Sequence, residues 1–442
     1  MPLSAPRKIT LVPLIATTYF IVAGGPFGLE DIVSKAGYAG AILILLVTPV
    51  VWSLPTALMV SELASAVPVE GGYYVWVRRA LGRFWGFQEA WLSLVGSIFD
   101  MAIYPALFVG YLGHFAPWVT AGGRGIWIGA SLIGASALWN MLGARMVGGS
   151  SVLLGILLLA PFAVVTAYAF LHRAAAGGPS VPLRNVDVLG GILVAMWNYM
   201  GWDNVSTVAD EVDRPQRTYP LAMGGTVLLV AVSYVLPIAG VGMSGIDANR
   251  WSTGGWADVA RAVFQNGTAG AILALAITIA GMIGAVGTLN ALVMAYSRLP
   301  AVMAEDGFLP RALSRRHART GAPWVSILAC SAAWALCLTL SFVKLIVLDV
   351  LLTGLSILLE FAALVALRVR EPDLPRPYRV PGGLAGAVGL GIPPLVLLVL
   401  TVLRNDAEPV GPINALQLGV ILIALGVIVW FFGERLLKHD HR

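Results

Sequence analysis

Charge is scarce in this chain: 12% of its residues are Asp, Glu, Lys or Arg while 58% are apolar, and the mean hydropathy is +0.84. Soluble domains carry about a quarter charged residues, so water is not the main solvent here. Cysteine is nearly missing as well. Cys330 and Cys337 lie two helical turns apart in one apolar run, on a similar face, so neither a disulfide framework nor a metal site is expected. No His/Cys cluster, Gly-x-Ser-x-Gly segment or phosphate loop occurs, which disfavours a membrane enzyme; no cofactor is expected. No polar stretch is large enough for a sizeable soluble domain, which disfavours a non-transporting sensor or scaffold.

What is present is a succession of apolar runs of about 20 residues, each long enough to cross about 30 Å of hydrocarbon. The first follows Arg7 and Lys8, as a signal peptide does, but it lacks a small-residue cleavage site and is expected to be retained. Twelve spans are predicted: 9–35, 40–66, 85–112, 126–144, 148–171, 188–211, 219–243, 268–298, 322–342, 344–367, 385–403 and 413–433. Placing alternate loops on opposite sides puts 20 of the 28 Lys and Arg on the side of the N-terminus. Arg78, Arg79, Arg83, Arg311, Arg315, Arg316, Arg319, Arg368, Arg370, Arg376 and Arg379 are among them; the other eight are Lys35, Arg124, Arg173, Arg184, Arg250, Arg261, Lys344 and Arg404. By the positive-inside rule both termini are expected in the cytoplasm, with the chain in the inner (cytoplasmic) membrane and the bilayer as its partner. The net charge of +5 is therefore explained by orientation, because the basic residues sit in short loops and form no nucleic-acid-binding domain.

Two spans are interrupted. Span 1 reads YFIVAGGPFGLEDI from Tyr19 to Ile32, with Gly24, Gly25 and Gly28 around Pro26. Proline removes a backbone donor and each glycine costs roughly 1 kcal/mol of helix propensity, so the helix is expected to unwind. Span 6 reads MWNYMGWDN from Met196 to Asn204, two Asn and one Asp around Gly201. Unwound backbone is tolerated at membrane depth only beside protein or a water-filled cavity, so a cavity is expected there. Spans 1 to 5 and 6 to 10 are similar in length and begin on opposite sides, the pattern of an inverted repeat, whose interrupted helices point to a transporter's binding site. The loops after spans 2 (70–83) and 7 (244–266, with Trp251 and Trp256) then lie on opposite faces.

Carboxylates in mid-span are costly, by about 2.5 kcal/mol or more, and usually mark a pathway. Asp100 lies in the stretch LVGSIFDMAIY (94–104), about 15 residues into span 3 and hence about 20 Å deep. Asp203 lies at a similar depth from the other side, as do Glu30 and Asp31 just beyond the first break. These four acids can converge on one volume, with Tyr104 one turn from Asp100. No Lys, Arg or His sits at that depth, so protons or an external cation must compensate them. An amine or guanidinium ligand fits, with Phe27, Trp197 and Trp202 available for cation–π contact. The competing structural reading is that Asp31 and Glu30 reach the outer interface, that Asp203 caps the second half of helix 6, and that Asp100 bonds freed backbone. Glu62 and Glu360 are expected to pair with basic loop residues. Asn290 and Thr288 in span 8 fit either a cavity-lining or a helix-packing role, and Trp118, Trp324 and Trp430 read as interfacial anchors.

Four segments carry a resemblance: GGPFGLED (24–31), ELASAVPVEGGY (62–73), FDMAIYP (99–105) and WDNVSTVADEVDRPQRTYP (202–220). They are similar to the amino acid/polyamine/organocation permeases, closest to the polyamine uptake and L-type amino acid carrier branch. The resemblance implies an all-α polytopic membrane protein with twelve transmembrane helices: a LeuT-like 5+5 inverted repeat (1–180 and 181–370) with helices 1 and 6 discontinuous, then spans 11 and 12 with a tail (371–442). It also implies alternating access around a site built from Gly24, Gly25, Pro26, Phe27, Gly28, Glu30, Asp31, Asp100, Tyr104, Trp197, Tyr199, Gly201, Trp202, Asp203 and Asn290. In such carriers the span 1 break offers amides to a substrate carboxylate, an aromatic at the position of Trp197 gates, and an acid at the position of Asp203 serves amine recognition or proton coupling. Gly-Pro-Phe-Gly replaces the usual Gly-Ser-Gly or Gly-Ala-Gly, and with Asp100 this favours polyamines such as putrescine or spermidine over amino acids. Span 5 has no lysine to replace sodium; protons on Asp203, Asp100 or Glu30 are the favoured coupling ion over Na⁺. The expected function is secondary transport of small organic cations, with an amino acid permease or exchanger as the alternative.

Overall fold

The computed structural model describes residues 8–172, 187–252, 254–265, 267–338, 342–404, 409–410 and 412–440, so Arg173 and Arg184 lie outside the described residues. Its first helix, α1 (Leu11–Val22), stops where the sequence predicts. Gly24, Gly25 and Gly28 adopt positive φ around Pro26, and helix resumes only at α2 (Glu30–Thr48). Within α2 a further glycine, Gly37, at φ 65°, leaves helical geometry and kinks the helix ahead of the predicted second span. That second span runs through a π-helical turn, Pro49–Ser53, into α3 (Leu54–Ala66).

The loop that follows folds into a short helix, α4 (Gly72–Leu81), ahead of the long α5 (Arg83–Phe115). Then come α6 (Arg124–Asn140), α7 (Ala144–Leu171) and α8 (Val188–Asn198). After Asn198 the chain breaks at Gly201, φ 91°, and continues as two 3₁₀ turns, Asn204–Thr207 and Ala209–Glu211. The rest comprises α9 (Pro215–Met243), α10 (Trp256–Val263), α11 (Thr268–Tyr296), α12 (Arg298–Glu305), α13 (Trp324–Ala335), α14 (Phe342–Arg370), α15 (Gly383–Arg404) and α16 (Ala415–Asp440). A two-residue antiparallel ribbon, Pro409–Val410 with Ile413–Asn414, precedes α16.

The chain is thus a mostly helical polytopic membrane protein. Among the described residues, seven continuous helical segments are long and apolar enough to cross a bilayer, and Leu11–Val22, Val188–Asn198, Trp324–Ala335 and Ala415–Phe431 are shorter apolar helices. Two of these short ones, α1 and α8, are the first halves of the interrupted segments: α1 is followed by the glycines around Pro26, and α8 by Gly201.

Several arginines on the N-terminal face are paired with acids. Arg368 binds the fully buried Glu62 with two nitrogens, Arg376 approaches the same carboxylate at 3.3 Å, and the Val380 amide donates to it at 2.7 Å. Arg298 at the start of α12 binds Glu211 after the second break. Arg316 donates to both Glu70 and Glu305, at 2.6 and 3.0 Å, and Glu70 beside it pushes the guanidinium well above its ordinary value. Trp118 is exposed and Trp324 partly so, as interfacial residues are, whereas Trp430 is buried against Phe84, Phe87 and Phe308.

Candidate functional site

The two breaks lie side by side, and side chains from neighbouring helices take up the backbone groups that unwinding frees. The hydroxyl of Tyr234 in α9 sits between the Ala23 carbonyl at 3.2 Å and the Asn198 carbonyl at 3.0 Å, one oxygen from each break. The Trp202 indole donates to the Tyr199 carbonyl at 2.8 Å, and the Tyr199 hydroxyl donates to Leu45 at 2.9 Å. Trp256, the first residue of α10, donates its indole N–H to the Pro26 carbonyl at 2.7 Å. On the other face, the Gly71 amide donates to Thr207 and the Tyr73 amide to the Ser206 hydroxyl. The loop after span 7 therefore holds the first break, and the loop after span 2 holds the segment following the second.

Glycine is required at both breaks. Gly24 combines φ +59° with a position where any Cβ would collide with Thr288 Oγ1. At Gly201, φ is +91° and a Cβ would stand 3.1 Å from the Ile21 carbonyl.

Between the breaks lies a small cavity of about 30 Å³. The last turn of α1 (Ile21 to Ala23), the second break (Trp197, Asn198, Met200, Gly201, Asn204) and α11 (Thr288, Leu292, Tyr296) supply most of its wall. Asp100 and Tyr104 from α5, with Asp349 and Thr353 from α14, supply its charge and hydroxyls. Asp100 and Tyr104 share a face because they are four residues apart on α5, and the Tyr104 hydroxyl donates to Asp100 Oδ1 at 2.7 Å. The Tyr296 hydroxyl reaches Oδ2 at 3.4 Å, and the Trp197 indole bonds the same carboxylate. Thr353 donates to Asp349 Oδ1 at 2.9 Å. Among the described residues, no ion pair includes Asp100 or Asp349. Two carboxylates, an indole and four tyrosine or threonine hydroxyls around this small volume suit an organic cation with more than one N–H donor.

The four acids expected to converge do not all reach this volume; of them only Asp100 lines it. Glu30 is fully buried beyond the first break, where the amides of Gly28, Glu30 itself and Gly254 face its carboxylate without closing a good hydrogen bond. Asp31 beside it is half-buried. Asp203 points to the opposite side of the second break, toward Tyr73, Glu89 and Glu360. Gly24, Gly25, Pro26, Phe27 and Gly28 stand just outside the cavity wall, and Phe27 stacks edge-on with Tyr111 and Phe162, which packs on Trp256. Tyr199 and Trp202 brace the second break as described. Asn290 faces α6, where the Asn140 amide donates to its side-chain oxygen at 2.7 Å.

Asp349 is a cavity residue that sequence reasoning passes over. It lies near one end of an apolar run and five residues from Lys344, so it reads as an interfacial acid. Glu360 is also unlike its expectation: Glu62 takes both arginines, and neither Glu360 oxygen has a hydrogen-bond partner.

The family model "Amino acid permease" matches residues 15–432. Polyamine transporter PUT1 of Oryza sativa subsp. japonica is 36% identical over 424 residues, covering 96% of this chain and 78% of that protein. The probable polyamine transporter At1g31830 of Arabidopsis thaliana is 34% identical, covering 99% of this chain and 85% of its own length. Polyamine transporter RMV1 of the same plant is 33% identical, covering 94% and 84%. With a family match over nearly its full length and relatives above 30% identity, the chain belongs to the amino acid permease family.

Proposed function

We propose that this protein is a secondary transporter of polyamines, binding a short diamine or triamine between the two helix breaks and releasing it by alternating access. The observation that carries the reading is the central cavity itself, with Asp100 and Asp349 facing one small volume and, among the described residues, no ion pair to either. Two like charges so placed are mutually unfavourable, and a dication with ammonium groups at both ends relieves both. The names of relatives that match almost end to end, polyamine transporters in rice and Arabidopsis, support that substrate class. Trp197 and Tyr296 are suited to cover an ammonium group with aromatic faces.

Twelve spans fit the helices at each predicted segment, and the reciprocal bracing of the two breaks fits an inverted repeat of residues 1–180 and 181–370, followed by two helices in 371–442. In this reading α1 and α8 rock with their loops against α5, α6 and α11. The aromatic layer of Phe27, Tyr111, Phe162 and Trp256 closes one face, and the pairs of Arg298 and Arg316 close the other. In this reading both termini face the cytoplasm, which the arginine distribution supports. Protons drive uptake.

The test is uptake of labelled putrescine into proteoliposomes with an imposed pH gradient. Saturable uptake that rises with an acidic outside, and that diamines but not neutral L-amino acids block, is the expected result. Block by neutral L-amino acids with none by diamines would select an amino acid permease instead.

A further inference from the structure

A second set of acids lies away from the cavity, toward the N-terminal face. Glu89 on α5, Glu360 on α14 and Asp203 after the second break are each at most 2% exposed, and none lines the central cavity. One Glu89 oxygen accepts from Ser93 at 2.9 Å and from Ser356 at 2.8 Å, and the two serine hydroxyls are 2.9 Å apart. Its other oxygen, both oxygens of Glu360, Asp203 Oδ1 and the Tyr73 hydroxyl are buried without a hydrogen-bond partner. The groups acting on one another here come from every packed element: Tyr73 from α4, Glu89 from α5, Asp203 from the break, Tyr296 from α11, and Glu360 and Asp349 from α14. Among the described residues no ion pair includes Glu89, Asp203 or Glu360.

Three carboxylates cannot all be ionised at such burial without a counter-charge, and five orphaned oxygens in one buried cluster are better served by hydrogen than left bare. The ligand whose size suits side chains this enclosed is the proton. We propose that Glu89, Asp203 and Glu360 form the proton-binding station of the transport cycle, separate from the amine-binding pair Asp100 and Asp349, with the Tyr296 hydroxyl between the two sets.

The place of Tyr296 follows from its contacts. The Tyr296 hydroxyl touches Asp100 Oδ2 and receives the Asn204 amide, each at 3.4 Å, and Asn204 directly follows Asp203. A dication arriving at Asp100 and Asp349 therefore changes the field at Asp203 within the same rigid wall. Each proton transfer breaks one O–H bond and forms another between oxygens of the cluster, with no change in electron count. The assignment rests on the polyamine-proton reading given above.

The experiment uses the full-length protein in liposomes loaded with a pH-sensitive dye, with putrescine added outside. The wild type is expected to move protons with putrescine. Glu89→Gln, Glu360→Gln and Asp203→Asn should still bind putrescine in a thermal-shift assay and still exchange labelled for unlabelled putrescine. They should lose putrescine-driven proton movement and the response to an imposed pH gradient. Variants that keep proton movement at the wild-type ratio to putrescine would overturn the assignment. A wild type that takes up putrescine without protons would overturn the coupled reading itself, a distinguishable failure. Where an amide variant does not fold, infrared difference spectra of the wild type decide: a carbonyl band of protonated carboxyl that changes with putrescine and persists in Asp100→Asn supports the station, and its absence refutes it.

Discussion

Tyr104 donates its hydroxyl to Asp100 across one turn of α5 at 2.7 Å, so the acid meant for a ligand is held in one rotamer before any ligand arrives. A hydrogen bond to a charged group contributes about 1.5–3 kcal/mol. Tyr104→Phe removes it and keeps the ring. Putrescine affinity in the thermal-shift assay is expected to fall about tenfold, about 1.4 kcal/mol, with little change in the apo melting temperature.

The glycines of the two breaks are a backbone requirement. Gly24→Ala places a methyl against Thr288 Oγ1 at φ +59°, and Gly201→Ala places one beside the Ile21 carbonyl at φ +91°. Strain at such positions costs about 1–3 kcal/mol. Each variant should lose most transport and lower the melting temperature in detergent. An alanine at exposed Gly122, where the φ is also positive but nothing lies within 4 Å, should leave transport near wild type.

Tyr234 stands between the carbonyls of both breaks, so it ties the movement of α1 to that of α8. Tyr234→Phe keeps the packing on Tyr199 and removes the shared donor. Slower transport with nearly unchanged putrescine binding is the expected signature, read from the rate of uptake against the midpoint of a binding titration.

Glu62 is an anchor of the N-terminal face. Breaking a buried ion pair by removing one partner costs about 3–5 kcal/mol. Glu62→Gln should therefore unfold at markedly lower temperature. Glu371, whose carboxyl the exposed Arg79 guanidinium holds below its usual range, stabilises the fold above its unfolded-state titration range and ceases to as pH falls through its lowered folded value. Being exposed, it matters far less: Glu371→Gln should shift the melting temperature little at neutral pH and not at all in acid.

Much of this arrangement is legible in the residues. The break of span 1 follows from three glycines and a proline in a run of five, and the pairing of Asp100 with Tyr104 follows from helical spacing alone. The weaker signal at Gly201, one glycine without proline, still opens the helix, because Tyr234, Trp202 and the Gly71 amide are in place to hold its backbone. What the sequence conceals is which acids face each other. Asp349 and Glu89 sit near the ends of apolar runs and look interfacial, and only the close packing of α14 on α5 turns them inward. Asp203 and Asp100 look alike in depth, yet the irregular segment after Gly201 aims Asp203 toward Glu89 and away from the cavity. Periodicity cannot report a direction set by unwound backbone.

The central claim is that a cation from outside completes the charge of Asp100. Labelled putrescine uptake by Asp100→Asn, compared with the wild type at equal amounts of folded protein in proteoliposomes, tests it most directly. Loss of saturable uptake with an unchanged apo melting temperature is the predicted result. Uptake by the asparagine variant at the wild-type rate and affinity would contradict the account.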